Sequence, residues 1–126
     1  ANRVNGKGFY VQPTIFDEVD NEMTIAREEV FGPVLSVIPF DNYEDAVSKA
    51  NDSLYGLASG VWTADIKKAH RFARDVQAGT VWVNCYNVFD PAGPFGGVKQ
   101  SGFGRDLGQQ AALDYTELKT VWVDLN

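Results

Sequence analysis

Apolar segments alternate with helix-forming segments in the middle of the chain, and this order limits the fold more than any other feature. Residues 35–40, 57–62 and 80–85 are apolar and strand-like, while one helix is predicted to begin at Tyr43 and another to cover residues 66–77. Short loops join each helix to its neighbouring strands. Strands joined in this way pack most economically as a right-handed parallel βαβαβ unit, buried on both faces. The chain is therefore predicted to be an α/β protein.

The ends of the two helices carry residues that favour a helix start or stop. The candidate N-terminal caps are Asp41 and Asn42 for the first helix, and Thr63 or Asp65 for the second. Gly79 is predicted to end the second helix in the left-handed region of backbone space, which glycine adopts without a steric penalty. These residues support the boundaries of the predicted unit.

Weaker patterns flank this unit on both sides. They predict a loop over residues 2–8, an extended segment over 9–16 that Pro13 makes an edge or irregular strand, one or two helical turns within 21–27, and a short helix over 109–113. Residues 116–125 are rich in strand-forming residues and have apolar side chains on both faces. Because such a strand is unlikely to remain an open edge in water, we expect it to pair with another chain or with another part of a longer protein.

Charge and composition argue against several classes of partner. The net charge is -6 and the Lys and Arg residues are scattered, so we expect no nucleic acid to bind. No apolar run approaches the ~18 residues of a membrane span, so no membrane partner is expected. The single Cys rules out an internal disulfide and fits a reducing compartment. We expect a cytoplasmic protein and leave the mitochondrial matrix open.

Residues 28–34 form the most informative candidate site. Here Glu28 and Glu29 stand directly before Val30, the aromatic ring of Phe31 and a Gly-Pro break. A carboxylate can accept hydrogen bonds from both hydroxyls of a ribose, and a phenyl face can lie against a heteroaromatic ring. This combination would make half of a dinucleotide site. The alternative is that the two carboxylates are solvated loop charges and the ring is ordinary core.

The glycine-rich segment 93–108 is predicted to be a structured loop. Gly102, Gly104 and Gly108 come close to the dinucleotide fingerprint, but there is one residue too many before the last glycine and no strand directly before the first. We therefore reject a phosphate-binding loop here. For these glycines, and for Lys99 and Arg105, a role in tight packing around the mouth of a site is the better interpretation.

Two further residue types invite a catalytic interpretation that their surroundings do not favour. Cys85 ends an apolar strand with no His, Lys or Arg beside it in sequence to lower its pKa, so a buried, inert thiol is expected. His70 is the only histidine and is expected at the surface or half-buried on its helix. One His and one Cys cannot assemble a metal cluster, and no metal is assigned.

Four ordered motifs resemble the C-terminal quarter of the NAD(P)-dependent aldehyde dehydrogenases of the class 1/2 type. They are GFYVQPTIF from Gly8, EEVFGPV from Glu28, AGTVWVNCY from Ala78 and PFGGVKQSGFGRD from Pro94. The resemblance covers nearly the whole chain. It implies an oxidoreductase in which a cysteine thiolate attacks an aldehyde, a hydride passes to NAD(P)+ and the resulting thioester is hydrolysed to a carboxylic acid.

The resemblance also implies roles for individual residues of this chain. Glu29 should hold the hydroxyls of the nicotinamide ribose and Phe31 should flank the nicotinamide, with NAD as cofactor and NADP possible. Phe89 and Phe95 match positions that line the aldehyde tunnel, although core packing is an alternative for both. The position of Cys85 is not that of the family's nucleophile. The nucleophile and the general base have no counterparts here, so the chain alone should be inactive.

By the same resemblance, the α/β unit should be part of the aldehyde dehydrogenase catalytic domain. Residues 1–113 would be its C-terminal part and residues 114–126 an oligomerisation strand. The expected partners are an aldehyde, the remainder of the same polypeptide and further copies in a homodimer or homotetramer. The start at Ala1, without Met, is interpreted as that of a fragment.

Two alternatives to this function stay open. The chain could be a non-catalytic α/β assembly module, or a structural protein derived from such an enzyme. A gene that begins near Ala1 would favour this alternative, and an upstream nucleotide-binding half with a reactive Cys would favour the enzyme. The second alternative is an enzyme for betaine aldehyde or aminoaldehydes, since Asp90 beside the expected tunnel could favour a cationic substrate. A solvated loop charge is the simpler explanation of Asp90.

Overall fold

The computed structural model describes residue 6 and residues 8–126, so the predicted loop 2–8 lies outside the described residues except for Gly6 and Gly8. The chain divides into two compact units, the first ending at Leu54 and the second running from Tyr55 to Asn126. The first unit contains β1 (Thr14–Phe16), α1 (Thr24–Arg27), β2 (Val34–Ser36) and α2 (Tyr43–Asn51). The second contains β3 (Ala58–Val61), α3 (Ile66–Asp75), β4 (Thr80–Val83), a 3-10 turn (Lys99–Ser101) and α4 (Gly108–Asp114).

In the first unit, β1 and β2 form a two-stranded parallel sheet. Thr14 is paired with Val34, and the Thr14 amide donates to the Pro33 carbonyl at 2.9 Å. The sheet is extended by the Val37 amide, which donates to the Phe16 carbonyl at 2.8 Å. Strand β1 begins directly after Pro13, whose nitrogen cannot donate to a ladder. The extended prediction for residues 9–16 is thus confirmed in its last three residues.

The α/β class and the parallel pairing are confirmed, but among the described residues the three strands of the predicted βαβαβ unit do not pair in one sheet. Strand β2, expected as its first strand, pairs with β1 in a sheet of its own. The second half of the predicted unit, β3-α3-β4, is present as a parallel βαβ pair, with Ala58 opposite Thr80 and Val61 opposite Val83. The apolar pattern identified the strands but did not indicate which strands pair. The backbone hydrogen bonds of a sheet can form between any two apolar strands.

Helix α2 begins as the sequence predicts, at Tyr43. The Asn42 side chain accepts a hydrogen bond from the Asp45 amide at 3.0 Å, which satisfies one of the free N–H groups of the first turn. Asp45 in turn accepts from the Lys49 ammonium at 2.9 Å and from the Asp41 amide at 3.0 Å. These bonds, chiefly the one from Lys49, lower the pKa of the Asp45 carboxyl.

Helix α3 is capped by Asp65, one of the two predicted candidates. Its carboxylate accepts from the amides of Lys67 and Lys68 at 2.8 and 3.3 Å. The helix ends at Asp75, two residues earlier than predicted, and the next residue, Val76, is extended. Its predicted apolar face is only partly buried: Ala69 is buried whereas Ile66 is exposed.

Gly79 does not end α3 in the left-handed conformation, so this prediction was wrong. The glycines with positive φ are Gly6, Gly8, Gly102 and Gly108. Gly79 is needed for a different reason, because a Cβ at this position would overlap with the carbonyl oxygen of Gly96. The start of β4 therefore packs directly against the backbone of the glycine-rich segment.

The C-terminal residues 116–126 form no strand with any described part of this chain. Their large apolar side chains are exposed, among them Leu118 and Trp122. The predicted pairing with a partner therefore stays a prediction. A separate finding concerns membranes: within the described residues, every helix is too short or too polar to cross a bilayer.

Candidate functional site

The segment that carries Glu29 and Phe31 is a short exposed loop between α1 and β2. At its start, the Glu28 amide donates to the Thr24 carbonyl at 2.8 Å, closing the last turn of α1. At its end, the Gly32 amide donates to the Val30 carbonyl at 2.8 Å. This bond, from residue i+2 to residue i, makes a tight three-residue turn with Phe31 at its apex.

Both predicted cofactor residues are presented to solvent. The Phe31 residue is 98% exposed, so it belongs to no core formed within this chain. Glu29, two residues earlier, is exposed as well. Exposing a phenyl ring costs hydrophobic free energy of about 2 kcal/mol relative to burying it. A ring held at the apex of a tight turn is therefore available to cover a flat apolar partner, beside a carboxylate that can accept hydrogen bonds.

An ion pair fixes the residue just before this loop. The guanidinium of Arg27, the last residue of α1, binds both carboxylate oxygens of Asp52, with Nη1–Oδ1 and Nη2–Oδ2 distances of 2.9 and 2.8 Å. Nη1 also donates to the Asp52 carbonyl at 2.9 Å, and Nη2 donates to Glu22. The bonds to Asp52 first, and then the bond to Glu22, raise the pKa of Arg27, so its charge is permanent. Asp52 is the residue that caps the C-terminus of α2.

In the second unit, the predicted substrate residues Phe89 and Phe95 meet in an aromatic cluster. Their ring centroids are 5.0 Å apart and the planes stand at 84°, an edge-to-face contact. Phe89 also contacts the buried Trp82 edge-on at 5.7 Å, and Trp82 contacts Tyr86 at 4.9 Å. Trp82 anchors the cluster through β4 and through its indole N–H, which donates to the Val88 carbonyl at 2.8 Å.

The cluster is partly core and partly surface. Trp82 is buried, Phe95 is half-buried and Phe89 is 48% exposed. The Phe95 backbone is held by a two-way bridge to Asp106, with both N···O distances at 2.7 Å. An exposed ring on such a fixed support can serve as an apolar wall, so core packing alone does not account for Phe89.

The glycine-rich segment lines a groove of about 340 Å³ beside Phe95. Arg105 spans the segment, since its Nη1 donates to the carbonyls of Gly97 and Gly104 at 2.7 and 2.8 Å. The Gly56 carbonyl accepts from the Val98 amide at 3.0 Å, tying the segment to the start of β3. Arg105 and the glycines that it contacts are thus tightly packed, as predicted, while their place at the mouth of a site stays a prediction.

Three other polar residues singled out in the sequence lie at the surface. His70 is exposed on α3, as predicted. Cys85 is exposed, so the expectation of a buried thiol was wrong: β4 ends at Val83 and the chain turns away at Asn84, which has a φ of 54°. The Asp90 carboxylate accepts from the Ala92 amide at 2.8 Å and so caps its own turn. Among the described residues, no three His, Cys, Asp or Glu gather closely enough to hold a metal ion.

The structure thus forms two local groupings, Glu29 with Phe31 in the first unit and Phe89 with Phe95 in the second. Sequence reasoning missed Trp82 and Tyr86 as their support. The sequence signal for this cluster is weak. Its four aromatic residues lie on one strand and in the loops after it, and their spacing matches neither a helix nor a strand. Only the position of Trp82 inside a β-strand could have indicated a buried side chain.

Comparisons with known proteins agree on one family. The model described as the aldehyde dehydrogenase family matches residues 1–121. A betaine aldehyde dehydrogenase of Rhizobium etli (strain CIAT 652) is 53% identical over 124 residues, which are 98% of this chain and 26% of the relative.

Two solved structures are similar in both sequence and fold. A mutant of P. syringae AldA indole-3-acetaldehyde dehydrogenase, in complex with NAD+ and IAA, has a TM-score of 0.87 and 59% identity, covering 92% of this chain and 23% of that one. The NAD+ complex of aldehyde dehydrogenase from Bacillus cereus has a TM-score of 0.92 and 53% identity, covering 98% and 25%. The chain therefore spans about a quarter of the length of its relatives. The chain belongs to the aldehyde dehydrogenase family.

Proposed function

We propose that this chain supplies the nicotinamide-ribose clamp of an NAD(P)-dependent aldehyde dehydrogenase, which oxidises aldehydes to carboxylic acids. The observation that carries the proposal is the loop after α1, which presents the almost fully exposed ring of Phe31 two residues after the exposed Glu29 carboxylate. Two similar solved structures are named as NAD+ complexes, which supports NAD+ as the cofactor. Cofactor kinetics of Glu29 variants in the full-length enzyme test this role.

The chain's residues would bind and orient the reactants. Glu29 would accept hydrogen bonds from the two hydroxyls of the nicotinamide ribose, and Phe31 would lie against the nicotinamide ring. Bound NAD+ supplies the hydride acceptor. The thiolate that attacks the aldehyde and the base that activates water would come from residues outside this chain, as would the contact that selects NAD over NADP.

Phe89, supported by Phe95, would form part of the wall of the aldehyde tunnel. We expect Phe89→Ala in the full-length enzyme to raise the KM for an apolar aldehyde about 30-fold, because truncation removes ~2 kcal/mol of apolar contact. The KM for NAD+ should stay within twofold. Steady-state kinetics with each substrate varied in turn measure both values.

Phe103→Ala provides the matched control for Phe89. Phe103 is a fully exposed phenylalanine of the same unit that contacts none of the rings in the cluster. Its removal should leave the KM for the aldehyde unchanged. If the two variants shift this KM equally, Phe89 does not line the tunnel.

An enzyme for betaine aldehyde remains the second candidate, because a betaine aldehyde dehydrogenase is among the similar relatives. The structure does not favour it locally, since the Asp90 carboxylate is engaged in its own turn and the nearby rings are uncharged. We therefore expect the full-length enzyme to have a higher kcat/KM for acetaldehyde than for betaine aldehyde. A strong preference for the cationic aldehyde would replace our assignment.

We also propose that residues 114–126 pair with a partner chain in a homodimer or homotetramer. Their exposed apolar side chains, including Leu118, Val121 and Trp122, support this assembly role. Covering them would remove a large apolar area from water, which is the main favourable term in association.

A further inference from the structure

We propose that Arg27 and Asp52 are positioning residues that hold the ribose-clamp loop, residues 28–33, in its binding conformation. This inference rests on the proposed function of Glu29. Neither side chain belongs to the clamp itself: Arg27 ends α1 and Asp52 lies just beyond α2, 25 positions later in the sequence. They would act on cofactor binding only through the loop between them and the ligand.

The Arg27–Asp52 ion pair joins the end of α1 to the end of α2. Both amino groups of the guanidinium engage both oxygens of the carboxylate, and Nη1 also bonds to the Asp52 carbonyl at 2.9 Å. A bidentate pair restrains orientation as well as distance, because two parallel bonds prevent rotation about either one. The end of α1 is therefore fixed in position and direction relative to the end of α2.

The loop has a second anchor at its other end. There the Pro33 carbonyl accepts from the Thr14 amide at 2.9 Å, and β2 follows in the sheet with β1. Between the anchors, residues 28–33 are exposed throughout. Because no side chain of this stretch is buried within the chain, the contacts that the chain itself supplies to position Glu29 are those at the two ends of the loop. Arg27 is only two residues from Glu29, so releasing it should move the carboxylate directly.

Glu22 offers an internal comparison for Asp52. It binds the same Nη2 of Arg27, but its side chain is largely exposed and it precedes α1, only five residues before Arg27. The Glu22 bond is therefore local, whereas the Asp52 bond joins two elements. Exposed ion pairs contribute little to global stability, so removing either carboxylate should leave the protein folded.

The test uses Arg27→Gln, Asp52→Ala and the double variant in the full-length enzyme, with Glu22→Gln as the control. We expect the dissociation constant of NAD+, measured by calorimetry without aldehyde, to rise roughly tenfold in each single variant, since small misplacements of a binding group are costly. The double variant should lose no more than the single variants, because both act through one pair. Glu22→Gln should stay within twofold of wild type, and the KM for the aldehyde should be unchanged throughout.

A measurement on the cofactor-free enzyme separates positioning from general stability. A glutamyl endopeptidase should cleave after Glu29 several-fold faster in Arg27→Gln and Asp52→Ala, while the unfolding midpoint stays near that of wild type. Should Arg27→Gln fail to fold, Asp52→Ala supplies the same readouts with the guanidinium in place. Wild-type NAD+ affinity in Asp52→Ala, together with weakened affinity in Glu29→Gln, overturns this inference and leaves the ribose clamp standing. Wild-type NAD+ affinity in Glu29→Gln overturns both the ribose clamp and the positioning role of Arg27 and Asp52.

Discussion

Replacing Glu29 by glutamine in the full-length enzyme is expected to lower kcat/KM for NAD+ by about 10- to 100-fold. A hydrogen bond to an ionised group contributes about 1.5 to 3 kcal/mol, and the glutamine amide keeps the shape but loses the charge and one acceptor oxygen. Glu29 is exposed on its loop, so the substitution should not disturb packing. Steady-state kinetics with NAD+ as the varied substrate, together with the unfolding midpoint, measure both effects.

Glu28→Gln is the matched control for this prediction. The neighbouring carboxylate is also exposed, and it is the backbone amide of Glu28 that contributes to α1, by donating to the Thr24 carbonyl. The Glu28→Gln variant should therefore keep its kcat/KM for NAD+ within twofold of wild type. Equal losses in the two variants would show that the loop acts through its general negative charge, and the assignment of a ribose clamp to Glu29 would fail.

The largest expected effect on folding comes from Gly79→Ala. A Cβ at position 79 would overlap with the carbonyl oxygen of Gly96, and both partners are backbone, so neither can move aside by a change of rotamer. We expect a loss of about 3 kcal/mol or more in the free energy of unfolding, at the upper end of overpacking effects. Urea unfolding followed by tryptophan fluorescence, along with the soluble yield, measures this loss.

Gly93→Ala is the control, because the nearest atom to a Cβ at position 93 is the Asp90 carbonyl oxygen at 3.5 Å, an ordinary contact. This variant should unfold within about 0.5 kcal/mol of wild type. If Gly79→Ala were equally stable, the close approach of β4 to the glycine-rich segment would not be a constraint on the fold.

Local features of the chain were predictable because they depend on neighbours in sequence. Asn42 and Asp65 cap the helices that follow them, since each side chain bonds to amides only two or three residues away. The strands over 57–62 and 80–85 are present, shortened to Ala58–Val61 and Thr80–Val83. Strand pairing was not predictable to the same degree, because β2 could have joined either sheet without any change in its own pattern.

For the candidate site as well, some features were predictable from sequence and others were not. The residue types were predictable, since Glu29 and Phe31 lie two residues apart in one motif. Their exposure could not be predicted, because a phenylalanine beside an apolar strand is more often core, whereas here Phe31 is exposed at the apex of the tight turn at residues 30–32. The same is true of Cys85, which looks buried in sequence and is exposed because β4 stops two residues before it.

By itself, the sequence determined the α/β class, two candidate caps at the start of each helix, the family and the two pairs of candidate residues, all of which depend on residue type and on spacing within short segments. Only the tertiary structure decided which strands pair, why Gly79 must be glycine, and that Arg27 reaches Asp52 across 25 residues. The physical reason is that these contacts join groups far apart in the chain. Their partners are selected by packing and by hydrogen-bond geometry, which no local pattern specifies.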